Sequence, residues 1–221
     1  MKTRIFVVAA ALVLSALDAH AGAIPYGSIG TPITISTDFI ATGPTIDAYF
    51  AGYSAADTDY LAVYDVTTGH FLTVNGNEYF FDNQTTPVGS EVALTGASGS
   101  NLLELLLWNQ STGTTLTSDP NNDPGDPGIS HAYVTAFGGG TLANFAGSNF
   151  NYPAGYYIGF EDLSTEANGW SDYDYNDDNY VITGAQPQDA SLLATPEPSS
   201  LLLLATGLLV LVEMGRRRLR A

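Results

Sequence analysis

The sequence predicts an all-β fold: a β-sandwich, jelly-roll-like, built as a single domain between an N-terminal leader and a C-terminal apolar tail. Three observations predict it. Gly and Pro punctuate the body of the 221-residue chain every eight to twelve residues. The runs between them are short, rich in Val, Ile, Tyr, Phe and Thr, and often alternate apolar with polar residues, as half-buried strands do. No stretch of the body carries a helical period over any length. Some ten short strands joined by tight turns fit two packed sheets better than any helical arrangement.

Taken in order, the chain opens on "MKTR", then the apolar "IFVVAAALVLSAL", then "DAHA". A basic start, a short apolar run and an A-x-A site ending at Ala21 are the three parts of a secretory signal peptide, so residues 1–21 are read as a leader removed on export by the Sec machinery. The predicted strands follow: "PITISTDFI", "TIDAYFAGY", "YLAVYDV", "FLTV", "EYFF", "EVALTG", "LLELLLWNQ", "HAYVTAF", "YYIGFED" and "NYVIT". Period-2 alternation places Ile46, Ala48, Phe50 and Gly52 on one face of the second, and Leu61, Val63 and Asp65 on one face of the third. "LLELLLW" could form a helical turn, but its length and its flanks, "GASGSN" and "NQSTG", favour a strand. The body spans residues 22–195, enough for a sizeable core, and contains no cysteine, so an exported domain of this kind depends on its core and on metal rather than disulfides.

The tail begins at Pro196-Glu197-Pro198, continues into a leucine-rich run and ends in Arg216, Arg217 and Arg218. Leu201 to Val212 covers about 18 Å as a helix, short of the ~30 Å hydrocarbon core; extending to residues 199–214 makes a marginal transmembrane helix. The arginines would stay cytoplasmic and leave the body outside. These three parts, in this order, resemble a PEP-CTERM sorting signal. The resemblance implies recognition of residues 196–221 by an exosortase, a membrane transpeptidase of Gram-negative bacteria that make exopolysaccharide. It further implies transient anchoring in the inner membrane, cleavage near Pro196 to Pro198, and delivery to the cell surface or medium. A plain C-terminal anchor is the competing reading.

Charge is distributed in an unusual way. All six Lys and Arg lie near a terminus, whereas twenty of the twenty-three acids fall between Ala21 and Thr195. Nucleic acid is excluded as a partner, because the body offers no basic footprint to phosphates. Isolated acids such as Asp38 and Glu91 are read as solvated. The stretch Asp172 to Asp178 is different: four carboxylates and Asn176 within seven residues. Asp172, Asp174 and Asn176 alternate with Tyr173 and Tyr175, so an extended chain would put the three on one face, about 6.6 Å apart. Inward leaning or a curled loop would bring them round one ion. Oxygen donors without Cys or His select a hard cation, and Ca²⁺ is the choice outside the cell. An EF-hand is ruled out, since Asp177 and Thr183 stand where that loop needs Gly and Glu. An acidic solvated turn is the alternative; the absence of any counter-charge argues against it.

"GFEDLSTEANGWSDYDYNDDNYVI", with the preceding "LLELLLWNQSTGTTLTSDPNNDPGDPGISHAYVTAF", resembles domain of unknown function 4114 over residues 91–183. The resemblance implies a secreted, surface-associated module that binds calcium through Asp172, Asp174, Asn176 and Asp177, with Glu161 and Asp162 from the neighbouring strand end. The chain departs from the family pattern by inserting Asp178 and Asn179 before the next strand; Asp178 either adds a ligand or shifts the register. A second acidic loop carries Asp119, Asp123 and Asp126, and either completes this site, forms its own, or is a flexible surface loop. Catalysis finds little support: there is no G-x-S-x-G elbow, the body has only His70 and His131, and His131 reads as a structural hydrogen-bonder. The chain is therefore expected to be no enzyme, but a structural or adhesive surface protein linked to exopolysaccharide or biofilm. The rival is a calcium-dependent, lectin-like module, since thirteen tyrosines, Trp108 and Trp170 supply rings that could stack on sugars.

The two terminal signals make a direct prediction. The intact mass of protein recovered from the surface or medium of the cells that make it should lack both Met1–Ala21 and the arginine cluster. A mature species still ending at Ala221 would defeat the exosortase reading.

Overall fold

The computed structural model describes residues 31–143, 149–164 and 171–189. The leader, Pro196 to Pro198, the transmembrane segment, Arg216 to Arg218 and Trp170 lie outside the described residues. Within them the fold is all-β, without a helix. No described helix is long and apolar enough to cross a membrane. The strands are β1 (Phe39–Ala41), β2 (Thr45–Tyr53), β3 (Asp59–Asp65), β4 (His70–Phe71), β5 (Phe80–Asp82), β6 (Glu91–Thr95) and β7 (Leu102–Asn109). They continue as β8 (Thr114–Thr117), β9 (Ala132–Phe137), β10 (Gly140–Ala143), β11 (Asn149–Tyr152), β12 (Gly155–Phe160), β13 (Asp178–Thr183) and β14 (Ala185–Pro187).

One antiparallel sheet runs β14-β1-β7-β3-β4, with β5 also on β3 and β8 also on β7; the other runs β6-β2-β13-β12-β9. Their inner faces meet in one core. Ile46, Ala48 and Phe50 of β2, with Tyr180 and Ile182 of β13, pack against Leu61 and Val63 of β3 and Leu103, Leu105 and Leu107 of β7. The alternation read in "TIDAYFAGY" and "YLAVYDV" is thus the alternation that faces the core. It breaks at a bulge. Asn179 pairs with Gly52 but Tyr180 pairs with Phe50, leaving Ala51 as the extra residue. Gly52 takes a φ of 133° there, a conformation side chains rarely adopt. Beyond the bulge Tyr53, not Gly52, packs on the core.

Outside the second sheet, the β10–β11 hairpin lays Leu142 and Tyr152 over Ala51, Tyr157 and Val181, so outward-facing Tyr157 is as buried as the core itself. "PITISTDFI" yields only the three residues of β1 and an isolated bridge from Ile33 to Ser130. "LLELLLW" is a strand, paired with β3 along its length.

Asp38 corrects a sequence expectation. It is 3% exposed rather than solvated, and its Oδ1 accepts the Ser118 hydroxyl at 2.5 Å. Burial pushes its carboxyl up to about 6. Glu104, on the outward face of β7, is 4% exposed, and its Oε1 has no donor. Burial raises it to about 7, Asp38, Asp119 and Asp123 adding to the rise and the Thr117 hydroxyl opposing it. Glu91 is exposed, as expected.

Both shifts have one sign. A carboxyl with a folded pKa above its unfolded value stabilises the fold fully below the unfolded pKa, and that contribution fades as pH rises through the folded one. With chelator present, the protein should melt higher at pH 5 than at pH 8. Glu104→Gln should raise the pH 8 melting temperature by about 2–4 °C, on the order of 1 kcal/mol, with little effect at pH 5. Calorimetry at the two pH values checks this; a variant that tracks wild type at both would show that Glu104 carries no such strain.

Candidate metal centre

β12 and β13 pair with Phe160 opposite Asp178, so the chain between them leaves and returns at one point. This brings Glu161 and Asp162, just past β12, beside Asp177, just before β13. The joint is hydrogen-bonded throughout. Asp177 N–H donates to the Phe160 carbonyl at 3.1 Å, and Asp162 N–H donates to Asp177 Oδ2 at 3.0 Å. Ser54 N–H donates to the Asp177 carbonyl at 2.8 Å, tying the end of β2 to the same corner.

The segment 171–177 is not a strand. Tyr173 and Tyr175 both have φ of 53°, the left-handed region, which costs a bulky residue roughly 1–2 kcal/mol each time. The turns are capped by the acids themselves: Asp174 N–H donates to Asp172 Oδ1 at 3.3 Å and Asn176 N–H to Asp174 Oδ1 at 3.1 Å. This is the curled loop, not the extended one. The fully buried Tyr175 anchors it, with its hydroxyl accepting from Ile33 N–H at 2.8 Å and donating to the Ser130 carbonyl at 3.3 Å.

Curling gathers ligand atoms. Carboxylate oxygens of Glu161, Asp172 and Asp174 all lie within 4.8 Å of one another, as do those of Glu161, Asp162 and Asp177. Glu161 belongs to both groups. It is 1% exposed, and its Oε2 has no hydrogen-bond partner. Burial, then the neighbouring carboxylates, pushes Glu161 and Asp177 up to about 8 and Asp162 to about 7. Burial likewise raises Asp174. No Lys or Arg occurs between residues 31 and 189 to oppose these terms. A hard divalent cation would oppose all of them at once, and these acidic groups could hold one.

Five of the seven expected ligands therefore come together: Glu161, Asp162, Asp172, Asp174 and Asp177. Asn176 sits beside them with its side-chain amide donating to Asp174 Oδ2. Asp178 turns the other way. It shares the inward phase of β13 with Tyr180 and Ile182, is wholly buried, and faces Asp59 of β3. The expected acidic centre thus divides at residue 177, because alternation sends adjacent strand residues to opposite faces.

The second acidic loop stands apart from this centre. Asp123 accepts the backbone N–H groups of Thr117, Gly125 and Asp126 at 2.7–2.8 Å, and Asp119 accepts from Asn121 and Asn122. These acids shape turns. His131 links the loop to the centre: its Nδ1 lies 3.1 Å from the Glu161 carbonyl and its Nε2 3.6 Å from Asp126 Oδ2. Burial holds His131 below its ordinary pKa. Sequence reading missed Asp57 and Asp59. The available signal was Asp59 falling in phase with Leu61 and Val63, an acid on the core side of an apolar strand.

Comparison with protein-family models, curated proteins and solved structures finds no match for this chain.

Gly159 makes the loop possible. It faces outward on β12, and a Cβ there would run into the Tyr175 carbonyl oxygen. Gly159→Ala should displace the curled loop, lower stability by roughly 1–3 kcal/mol, and weaken metal retention. Gly43→Ala, with nothing within 4 Å of the added Cβ, should do neither. Melting curves and calcium titration of the pair test it; a Gly159→Ala protein with wild-type calcium affinity would show that the loop's seat on β12 is immaterial.

Proposed function

We propose that this chain is an exported β-sandwich whose curled acidic loop binds Ca²⁺, serving a structural or adhesive role at a bacterial cell surface or in an exopolysaccharide matrix. One observation carries the reading: Glu161, buried with a donorless oxygen, joins two groups of carboxylates in a body without Lys or Arg. All-oxygen donors and an extracellular address favour calcium over softer metals. The terminal signals supply the address: Sec export past Ala21, transient anchoring in the inner membrane, then exosortase processing at Pro196 to Pro198. The chain crosses between the two sheets at β1–β2, β2–β3, β5–β6, β6–β7, β8–β9 and β13–β14, which favours a jelly-roll-like sandwich. Nothing in the site calls for catalysis.

A second reading has its own observation. On the outward face of the first sheet, Tyr64, Phe71, Tyr79, Trp108 and Tyr60 form a continuous series of half-buried rings, successive centroids 5.1–6.0 Å apart. Such rings can stack on sugars, and the acidic surface around them favours neutral glycans over anionic ones. Titration against exopolysaccharide with and without EDTA separates a glycan binder from a purely structural module.

For the calcium reading, extracellular sites commonly have Kd near 10⁻⁴–10⁻³ M, so about 10 mM Ca²⁺ should add about 1.5–3 kcal/mol. Asp174→Ala should lose most of the resulting rise in melting temperature while keeping a β-rich circular dichroism spectrum. Exposed Glu78, replaced by Gln, should respond as wild type does. Equal melting of wild type in EDTA and in calcium would sink the assignment.

A further inference from the structure

β3 and β13 belong to different sheets, yet both begin at the same end of the sandwich, and each begins with an aspartate aimed inward. Asp59 precedes Leu61 and Val63 on the core side of β3; Asp178 precedes Tyr180 and Ile182 on the core side of β13. Both are 0% exposed. Their surroundings include the rings of Phe50, Phe81 and Phe160, packed round Tyr180 with centroids 5.8–6.3 Å apart.

The polar frame around the pair is built but incomplete. Asn83 Nδ2 donates to Asp59 Oδ2 at 2.9 Å and Asp178 Oδ2 at 3.4 Å, while its Oδ1 accepts Asp59 N–H at 3.0 Å. Asn109 Nδ2 donates to Asp57 Oδ2 at 2.9 Å and to the Asp162 carbonyl at 3.1 Å, closing the far side. Three buried oxygens remain without any partner: Asp59 Oδ1, Asp178 Oδ1 and the Tyr180 hydroxyl. Tyr180 is an observation apart from the acids. Its hydroxyl is fully buried and close to Asp178 and Asp59, and although it interacts with Asp178 it falls outside full hydrogen-bond geometry. Leaving one such group unmet is costly, and leaving two facing carboxylates unmet is more so. Two carboxylates sharing one amide donor, with a phenol hydroxyl beside them, are what an ion requires and what a dry core avoids.

We propose that Asp59, Asp178 and Tyr180 hold a second hard divalent cation of the Ca²⁺ class inside the sandwich. Two bidentate carboxylates and the Tyr180 hydroxyl would supply five oxygens, and one water would bring the count to six, the lower end of the calcium range. This inner ion does not depend on Asp172 or Asp174 and would bind with the surface loop empty. It would cross-link the two sheets through β3 and β13, a task that disulfides perform in many exported domains. It would also fix the start of β3, where Tyr60 turns outward into the aromatic series.

The test is calcium stoichiometry of the full chain, purified in detergent and dialysed against buffered ⁴⁵Ca²⁺. Wild type should bind one more calcium per chain than Asp59→Asn and one more than Asp174→Ala, and the double variant should lose both. Asp178→Asn, made separately, should match Asp59→Asn and guards against one variant folding poorly, with near-UV circular dichroism reporting the fold. If Asp59→Asn and Asp178→Asn bind as much calcium as wild type, the pair shares a proton only and the inner site is overturned. A single calcium lost in Asp174→Ala but kept in Asp59→Asn overturns the inner site and leaves the surface-loop reading standing. A single calcium with the opposite pattern supports the inner site and removes the surface-loop reading. Wild type that binds none overturns both.

Discussion

The charge balance of the buried carboxylates constrains everything else in this sandwich. With no Lys or Arg between residues 31 and 189, each buried acid must be met by a backbone N–H, a hydroxyl, an amide, a proton or an ion from outside. Several acids are met from within. Asp123 takes three backbone N–H groups, Asp65 takes the Asn101 amide and Thr68 N–H, and Asp38 takes the Ser118 hydroxyl. Asp59, Glu104, Glu161 and Asp178 each keep a buried oxygen that nothing meets. Net intramolecular hydrogen bonds stabilise only modestly, but an unmet buried acceptor carries its full desolvation cost. The acids therefore fall into two classes, those met by donors of the fold and those that keep an unmet oxygen.

Apart from Glu104, the second class clusters because of how the sheets meet at one end. The β12–β13 pairing brings Glu161 and Asp162 against Asp177, the Ala51 bulge adjusts β2 next to that corner, and Gly159 leaves room for Tyr175. Alternation then sends Glu161 toward the curled loop and Asp178 into the core. The result is a series of carboxylates from the exposed Asp172 to the buried Asp178, with Glu161, Asp177 and Asp162 between. Such a series is self-repelling without metal. With metal, it would tie together strands that are distant in sequence, which matters in a chain with no cysteine.

The two outer faces of the sandwich differ. The β10–β11 hairpin covers part of the second sheet with its own small apolar cluster. The first sheet leaves Tyr60, Tyr64, Phe71, Tyr79 and Trp108 half-buried and touching one another. One face is therefore closed by the chain itself, and the other presents rings. Buried acid and presented ring are separated only by the thickness of a sheet: Asp59 and Tyr60 are adjacent, and they point to opposite sides.

Much of this was legible in the sequence. Period-2 alternation located β2 and β3 and identified which of their residues face the core, while length and flanking turn residues located β7. The density of acids marked the loop at residues 172–178. Short strands without alternation, such as β8, β10, β11 and β14, left too little pattern to read. Partnership was also illegible. Alternation shows that Asp59 and Asp178 lie on inward faces, but not that two sheets bring them together around Asn83, which is 95 residues from Asp178. Asp38 looked solvated because its burial depends on Ser118, 80 residues away. The sequence by itself determined the class of fold, the faces of its longer strands and the excess of negative charge. Only the tertiary structure decided which carboxylates are buried and which oxygens remain unmet, because burial and hydrogen bonding are settled by neighbours across the sandwich, and side-chain periodicity records a direction but not what lies there.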